Sequence, residues 1–275
     1  MERAFNFDVS SYPPLPRLRG LFVTGTDTEV GKTLVAGAIA AELRRQGRRV
    51  EAMKPVATGC RSGRDGLISA DAEFLAACAE SRRTLSEIAP LRFAQALAPN
   101  AAARRVHQEV NLEPIFDSFR RLQDRCDAVV VEGIGGLLCP ISDDFWVIHL
   151  ARMMDLPLVI VARAGLGTIN HTLMTIHAAR SAGLRVAGVV INRYRIDPVM
   201  QAARDNADRQ YARGDADIAM HTNPAQIAQL GKVDVLAIVP DEPANSVEKV
   251  TIGPDTRFAV SQVDWWRQSG IGIRD

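Results

Sequence analysis

The chain alternates short, mostly apolar runs with longer amphipathic or polar stretches. Six runs read as buried strands: "LFVT" (21–24), "VEAMK" (50–54), "DAVVVEG" (127–133), "LPLVIVA" (156–162), "VAGVVIN" (186–192) and "VDVLAIVP" (233–240). Apolar runs of this length, without strict alternation, suit strands covered on both faces, as in parallel sheets. Between the first two, "KTLVAGAIAAELRRQG" predicts a helix, because Leu34, Val35, Ala38, Ile39 and Leu43 recur at three- and four-residue spacing and Gly47 supplies a stop. "INHTLMTIHAARSAG" repeats that design and ends at Gly183. The expected fold is a single-domain α/β structure, a parallel sheet flanked by helices on both faces in three α/β/α layers. The segment 193–232 is more polar and less regular, and is expected to add helix and loop around the sheet. Expected boundaries are an irregular N-terminal extension over 1–19, carrying Pro13, Pro14 and Pro16, the domain over 20–245, and a C-terminal extension over 246–275. The last, with Trp265 and Trp266, is expected to pack on the domain or on a partner subunit.

Chemistry concentrates at the carboxyl ends of the predicted strands, where ligands bind in such sheets. The stretch "VTGTDTEVGKT" (23–33) nearly matches the phosphate-binding pattern G-x-x-x-x-G-K-[ST]. Thr26 stands at the first fixed position, however, and the nearest glycine, Gly25, comes one residue early. A strand runs into this loop and a helix leaves it, the context in which backbone N–H groups and the helix dipole cradle phosphate. Lys32 is then placed to reach the phosphates and the Thr33 hydroxyl to reach Mg²⁺, so the scaffold expected is that of a P-loop NTPase. Asp27 and Glu29 bring negative charge to a loop built for a polyanion, and that calls for an explanation.

A second motif, "VEGIGGLLCPISDD", puts Glu132 at the end of an apolar strand, followed by Gly133, Ile134 and the Gly135-Gly136 pair. Beside a P-loop this is the place of a metal-holding acid, although that acid is usually Asp. "MKPVATG" sets Lys54 at the end of the second strand, shortly before Thr58; it is either solvated at the strand edge or a cation aimed at the phosphates. Asp71, in "GLISADAEFL", either caps the helix that follows or serves as a further metal-site acid. His107, His149, His171, His177 and His221 are scattered, share no metal-binding spacing and form no catalytic triad.

Composition narrows the class. With 275 residues, 47% of them hydrophobic, the chain can bury a large core. Its 33 basic and 32 acidic residues leave a formal charge of +1, so nothing general draws it to nucleic acid or acidic membranes. Cys60, Cys78, Cys126 and Cys139 form no C-x-x-C pair, which argues against zinc and against a secreted disulfide framework. No apolar run approaches the ~18 residues of a membrane span, and the N-terminus lacks a signal-type apolar core, so a cytoplasmic protein is expected.

Taken in order, "FVTGTDTEVGKT", "MKPVATG", "VEGIGGLLCPISD" and "GLGTINHTLMT" resemble the dethiobiotin synthetase family of ATP-dependent cyclo-ligases over roughly residues 20–192, with a weaker echo through "TNPAQIAQLGKVDVLAIVP". The resemblance implies ATP and Mg²⁺ as cofactors, and 7,8-diaminopelargonic acid and CO₂ as substrates. A diamine substrate would explain the acidic loop, because a carboxylate there faces amines and metal. The resemblance further implies that Thr28, Glu29, Lys32 and Lys54 carry catalysis and that Thr58 contacts the substrate. It places Glu29, Val30, Gly31, Lys32, Thr33, Leu34, Asp71, Glu132, Gly133, Ile134, Gly135, Asn192, Arg193, Val239, Pro240 and Asp241 around the nucleotide, with Asn192 reading adenine. Thr33, Asp71 and Glu132 are implied as the metal ligands. Gly167, Thr168, Ile169 and Asn170 would hold the substrate carboxylate of a neighbouring subunit, making the enzyme a homodimer with a shared site. Three positions depart from the family pattern: Thr58 where serine is common, Asn100 where histidine is frequent, and Arg193 where an acid often follows the asparagine. Rival readings on the same scaffold are a cobyrinic-acid-type amidoligase, which usually carries a glutaminase domain not seen here, and a partitioning or cell-division ATPase switch. The switch class typically has an early P-loop lysine in place of Thr-Asp-Thr-Glu.

Overall fold

The computed structural model describes residues 8–64, 66–195 and 215–270. Its central sheet has six parallel strands in the order β10-β9-β8-β1-β7-β2. They are β1 (Gly20–Gly25), β2 (Val50–Met53), β7 (Ala128–Gly136), β8 (Leu158–Arg163), β9 (Val186–Tyr194) and β10 (Val235–Pro240). All six coincide with the apolar runs read from the sequence. Four short strands lie outside this sheet: β3 (Val56–Ala57) pairs with β6 (Leu91–Arg92), and β4 (Arg61–Gly63) pairs with β5 (Gly66–Ile68) as a hairpin.

The sheet is buried on both faces, and alternate residues of one strand serve different cores. Leu21 and Val23 of β1 pack with Val35, Ile39 and Leu43 of α1 (Lys32–Arg45), whereas Phe22 joins Phe116, Phe119 and Phe145 on the opposite side. The five apolar positions that predict α1 are all buried. Gly47, just beyond the helix, has φ +80°, the left-handed turn expected of its stop. The second predicted helix is α7 (Thr168–Ser181), followed by Gly183 at φ +74°. The remaining helices are α2 (Ala70–Ala79), α3 (Leu85–Ile88), α4 (Pro99–Arg105), α5 (Glu113–Arg120), α6 (Val147–Met154), α8 (Asp215–Gly231), α9 (Pro254–Ser261) and α10 (Trp265–Ser269).

The helix and loop expected over 193–232 include α8, which runs through Pro224. Residues 196–214 of that segment lie outside the described residues. In the C-terminal stretch, Trp265 is fully buried, donates its indole N–H to the Val260 carbonyl (2.7 Å), and belongs to the same core as α1. Trp266 is gripped between the Arg19 and Arg48 guanidinium groups, 4.4 and 4.0 Å from the ring centre.

Strand order places the site. β7 and β8 flank β1 on opposite sides, so the chain's connections diverge at the carboxyl end of β1, where a crevice opens.

Candidate functional site

A cleft of about 1000 Å³ opens at that crevice. The loop between β1 and α1 forms its base. Gly25 is needed because the loop folds over it: a Cβ there would lie 2.8 Å from Val30 Cγ2 and 2.9 Å from the Asp27 carbonyl. Gly31 has φ +92°, and a Cβ on it would overlap the Asn192 amide nitrogen at 1.9 Å. The displaced glycine of the motif is thus a close-approach position of a longer loop.

Lys32 is buried and donates to the Asp27 carbonyl at 2.8 Å, so its ammonium lies under its own loop. Burial holds its pKa below the ordinary lysine value, partly offset by Glu132. Lys54 follows β2 and is only 3% exposed, which removes the solvated strand-edge reading. Its Nζ donates to Glu132 Oε1 at 2.5 Å and to the Gly133 carbonyl at 3.3 Å, and lies 2.9 Å from Asp71 Oδ2. Thr33 Oγ1 donates to the same Glu132 oxygen at 2.9 Å. Residues from β1's loop, β2, α2 and β7 therefore meet at one point. Burial pushes the Glu132 carboxyl above the ordinary carboxylate range, although Lys54 opposes this. Burial also opposes charge on Lys54 and Asp71. There the mutual attraction wins, raising the lysine with help from Glu132 and lowering the aspartate with help from Thr33.

The capping reading of Asp71 is corrected here. Ser69 caps α2, accepting from the Ala72 N–H at 3.3 Å, and Asp71 sits in the first turn with its carboxylate turned to Lys54. Among the described residues no three His, Cys, Asp or Glu side chains cluster to hold a metal. The oxygens of Asp71, Glu132 and Thr33 nevertheless form a hard-donor set that suits Mg²⁺. Glu132 Oε2 is buried without a hydrogen-bond partner, an acceptor left for a ligand.

Thr28, Glu29, Gly31, Leu34, Thr58, Ile134, Gly135, Arg193, Pro240 and Asp241 also line the cleft. Asn192 reaches it from the end of β9, donating Nδ2 to the Val30 carbonyl at 2.9 Å while its buried Oδ1 has no partner. Val30 and Val239 are instead buried beneath the lining, and Gly133 contributes its carbonyl to Lys54. Gly167, Thr168, Ile169 and Asn170 do not line the cleft. They form the start of α7, an N-terminus that no side chain caps.

Sequence reasoning missed two walls. Ala96, Leu97 and Ala98 make an apolar lip in which Leu97 is 44% exposed. Glu242, Asn245, Ser246, Val247 and Glu248 close the far side. Glu242 pins that wall by accepting from the Thr256 N–H and hydroxyl, both at 3.0 Å. The Asp241 at the end of "IVPD" was the signal that the wall continues into the C-terminal segment.

A family model described as an AAA domain matches residues 19–249. The chain is 41% identical over 226 residues to the ATP-dependent dethiobiotin synthetase BioD of Anaeromyxobacter sp. strain K, covering 82% of this chain and 92% of that protein. It belongs to the dethiobiotin synthetase family. The relative of that name from Bacillus subtilis strain 168 is 34% identical over 223 residues, 81% of this chain and 87% of its own. Membership makes the chain an enzyme and a ligase. Among solved structures, the MinC:MinD cell division protein complex of Aquifex aeolicus matches with a TM-score of 0.52 at 16% identity, over 94% of this chain and 97% of that one. A ParA family ATPase from Chlorobium tepidum matches with a TM-score of 0.52 at 12% identity, over 90% and 98%. At these identities the likenesses show the shared fold alone. No helix among the described residues is long and apolar enough to cross a membrane.

Proposed function

We propose that the enzyme closes the ureido ring of dethiobiotin from 7,8-diaminopelargonic acid, CO₂ and ATP, releasing ADP and phosphate, in the cytoplasmic synthesis of biotin. The observation that carries this reading is that the acidic loop, through Thr28 and Glu29, lines the same cleft as Lys54 and Thr58. One pocket therefore offers cations for phosphate and acceptors for amines. In the reaction, one substrate amine attacks CO₂ and loses a proton, giving a carbamate. A carbamate oxygen then attacks the γ-phosphorus as the bond to ADP breaks, forming a carbamic-phosphoric anhydride. The second amine attacks the carbamate carbon, expels phosphate, loses its proton and completes the ring.

No protein nucleophile is required, and phosphoryl transfer needs mainly positioning and charge neutralisation. Lys32 and Lys54 supply the positive charge, and Thr28, Glu29 and Thr58 orient the diamine. Asn192, with one Nδ2 proton and Oδ1 uncommitted, is able to pair with the adenine edge; Arg193, Pro240 and Asp241 surround the base. Thr33, Asp71 and Glu132 would hold Mg²⁺, which when bound neutralises charge on the transferring phosphoryl group. The uncapped α7 N-terminus at Gly167–Asn170 suits a carboxylate. In this reading the enzyme is a homodimer, and the tip, which lies outside its own chain's cleft, serves the partner's site.

The test is incubation of purified enzyme with ATP, Mg²⁺, bicarbonate and 7,8-diaminopelargonic acid, with mass spectrometry of the products. Dethiobiotin forming in step with ADP supports the reading. ATP hydrolysis that ignores the diamine and yields no dethiobiotin refutes it.

A further inference from the structure

We infer that Lys54 is the site's resident counter-ion: its ammonium group holds the carboxylate oxygens that a divalent cation would take, so that the cation enters together with a polyanion that draws Lys54 away. This rests on the reading of Asp71, Glu132 and Thr33 as metal ligands. Three acceptors surround Nζ, namely Glu132 Oε1, Asp71 Oδ2 and the Gly133 carbonyl, matching the three donors of an ammonium group. Lys54 thus has no N–H left for phosphate or substrate until it releases an acceptor. Glu132 Oε1 is doubly engaged, since Thr33 also donates to it. One oxygen of each acid implied in metal binding is therefore engaged by Lys54, and the Thr33 hydroxyl is turned to Glu132, while Glu132 Oε2 stays unpartnered, in a pocket where Lys54 and Glu132 are almost wholly buried.

The charges of the floor close without a ligand. Lys32 and Lys54 balance Asp71 and Glu132, with Asp27 and Glu29 on the loop beyond them, and a divalent ion added alone would sit beside a buried ammonium, where repulsion is weakly screened. A triphosphate reverses this. It offers acceptors to Lys32 and Lys54, frees the carboxylates and compensates the ion. Nucleotide and cation are then coupled, each raising the other's affinity by the same factor, and Lys54 sets part of that factor.

The test uses Mn²⁺ as probe, counting free ion by electron paramagnetic resonance in titrations of the whole chain with and without a non-hydrolysable ATP analogue. Replacing Lys54 by an uncharged side chain removes the competitor. Lys54→Met, and Lys54→Gln as a second variant that keeps hydrogen bonding in the buried pocket, should each bind Mn²⁺ without nucleotide at least tenfold more tightly than the wild type, with a correspondingly smaller gain on adding the analogue. Circular dichroism establishes that the variant titrated is folded. Nucleotide-free Mn²⁺ affinity that is unchanged or weaker in the folded variant overturns the proposal. Asp71→Asn separates the two ideas: if it abolishes Mn²⁺ binding in the presence of the analogue while Lys54→Met gains nothing, the ligand reading stands and the counter-ion role falls.

Discussion

On the proposed reading, the cleft floor and the tip of α7 hold anions in opposite ways. On the floor, Lys32, Lys54 and Glu132 are buried and Asp71 is partly exposed, and the four, drawn from different elements, compensate one another within a single chain. At the α7 tip the N-cap is Gly167, no side chain caps the first turn, and Thr168 is fully buried, so backbone amides and Asn170 are presented there, with the Arg163 guanidinium beside Gly167. The floor is complete in one copy, whereas the tip lies outside that copy's cleft. On the proposed reading, phosphate chemistry is an intrachain property, while recognition of the substrate's far end calls on a second subunit.

The sharpest way to break this division is to damage the floor. Lys54→Ala should reduce turnover by the equivalent of about 3 to 4 kcal/mol of transition-state stabilisation, the scale of losing one preorganised electrostatic donor. The protein should remain folded with a lowered melting temperature, because Glu132 loses its partner. Steady-state kinetics and a thermal melt measure both, and near wild-type turnover would remove Lys54 from its assigned role. A smaller effect is expected at the tip. Asn170→Asp places a negative charge in the first turn of α7, where it favours the helix but repels a carboxylate. The diamine KM should rise about tenfold, roughly 1.4 kcal/mol, with the ATP KM unchanged.

Smaller still is the pH effect. Burial lowers the Lys32 pKa from 10.5, and phosphate is attracted to the charged form. Nucleotide affinity measured by calorimetry should therefore fall as pH rises through that depressed pKa, at lower pH than an ordinary lysine would dictate, and Lys32→Met should flatten this part of the profile. At the far end of the scale, Arg104 and Asp143 form an ion pair with both side chains mostly exposed. Arg104→Ala should leave the melting temperature within error.

The sequence carried the sheet well because its strands are covered on both faces and so appear as unbroken apolar runs; Val129, Val130 and Val131 point alternately to two cores yet all are apolar. It carried Lys32, Lys54 and Glu132 of the floor because each sits at a strand end or in the P-loop. It left Asp71 open between a helix cap and a metal-site acid, because nothing in the sequence shows that the Ser69 hydroxyl does the capping. It was silent about Leu97, an exposed leucine in an alanine-rich stretch with no periodicity to mark it. The far wall at Glu242–Glu248 was also hidden, because it depends on the contact of Glu242 with Thr256, fourteen residues away. Helix is expected somewhere in 193–232, but the bounds of α8 are not legible in a polar stretch that carries Pro224.

The most direct test of the division between floor and tip is to mix two crippled enzymes. Lys54→Ala supplies an intact tip and a damaged floor. A variant with the α7 tip disabled by acidic substitution at both Thr168 and Asn170 supplies the reverse. After subunit exchange, one site of each mixed dimer pairs an intact floor with an intact tip, so activity should return in up to about a quarter of all sites. Activity that stays at the sum of the two separate variants would contradict the shared site and confine the whole reaction to one chain.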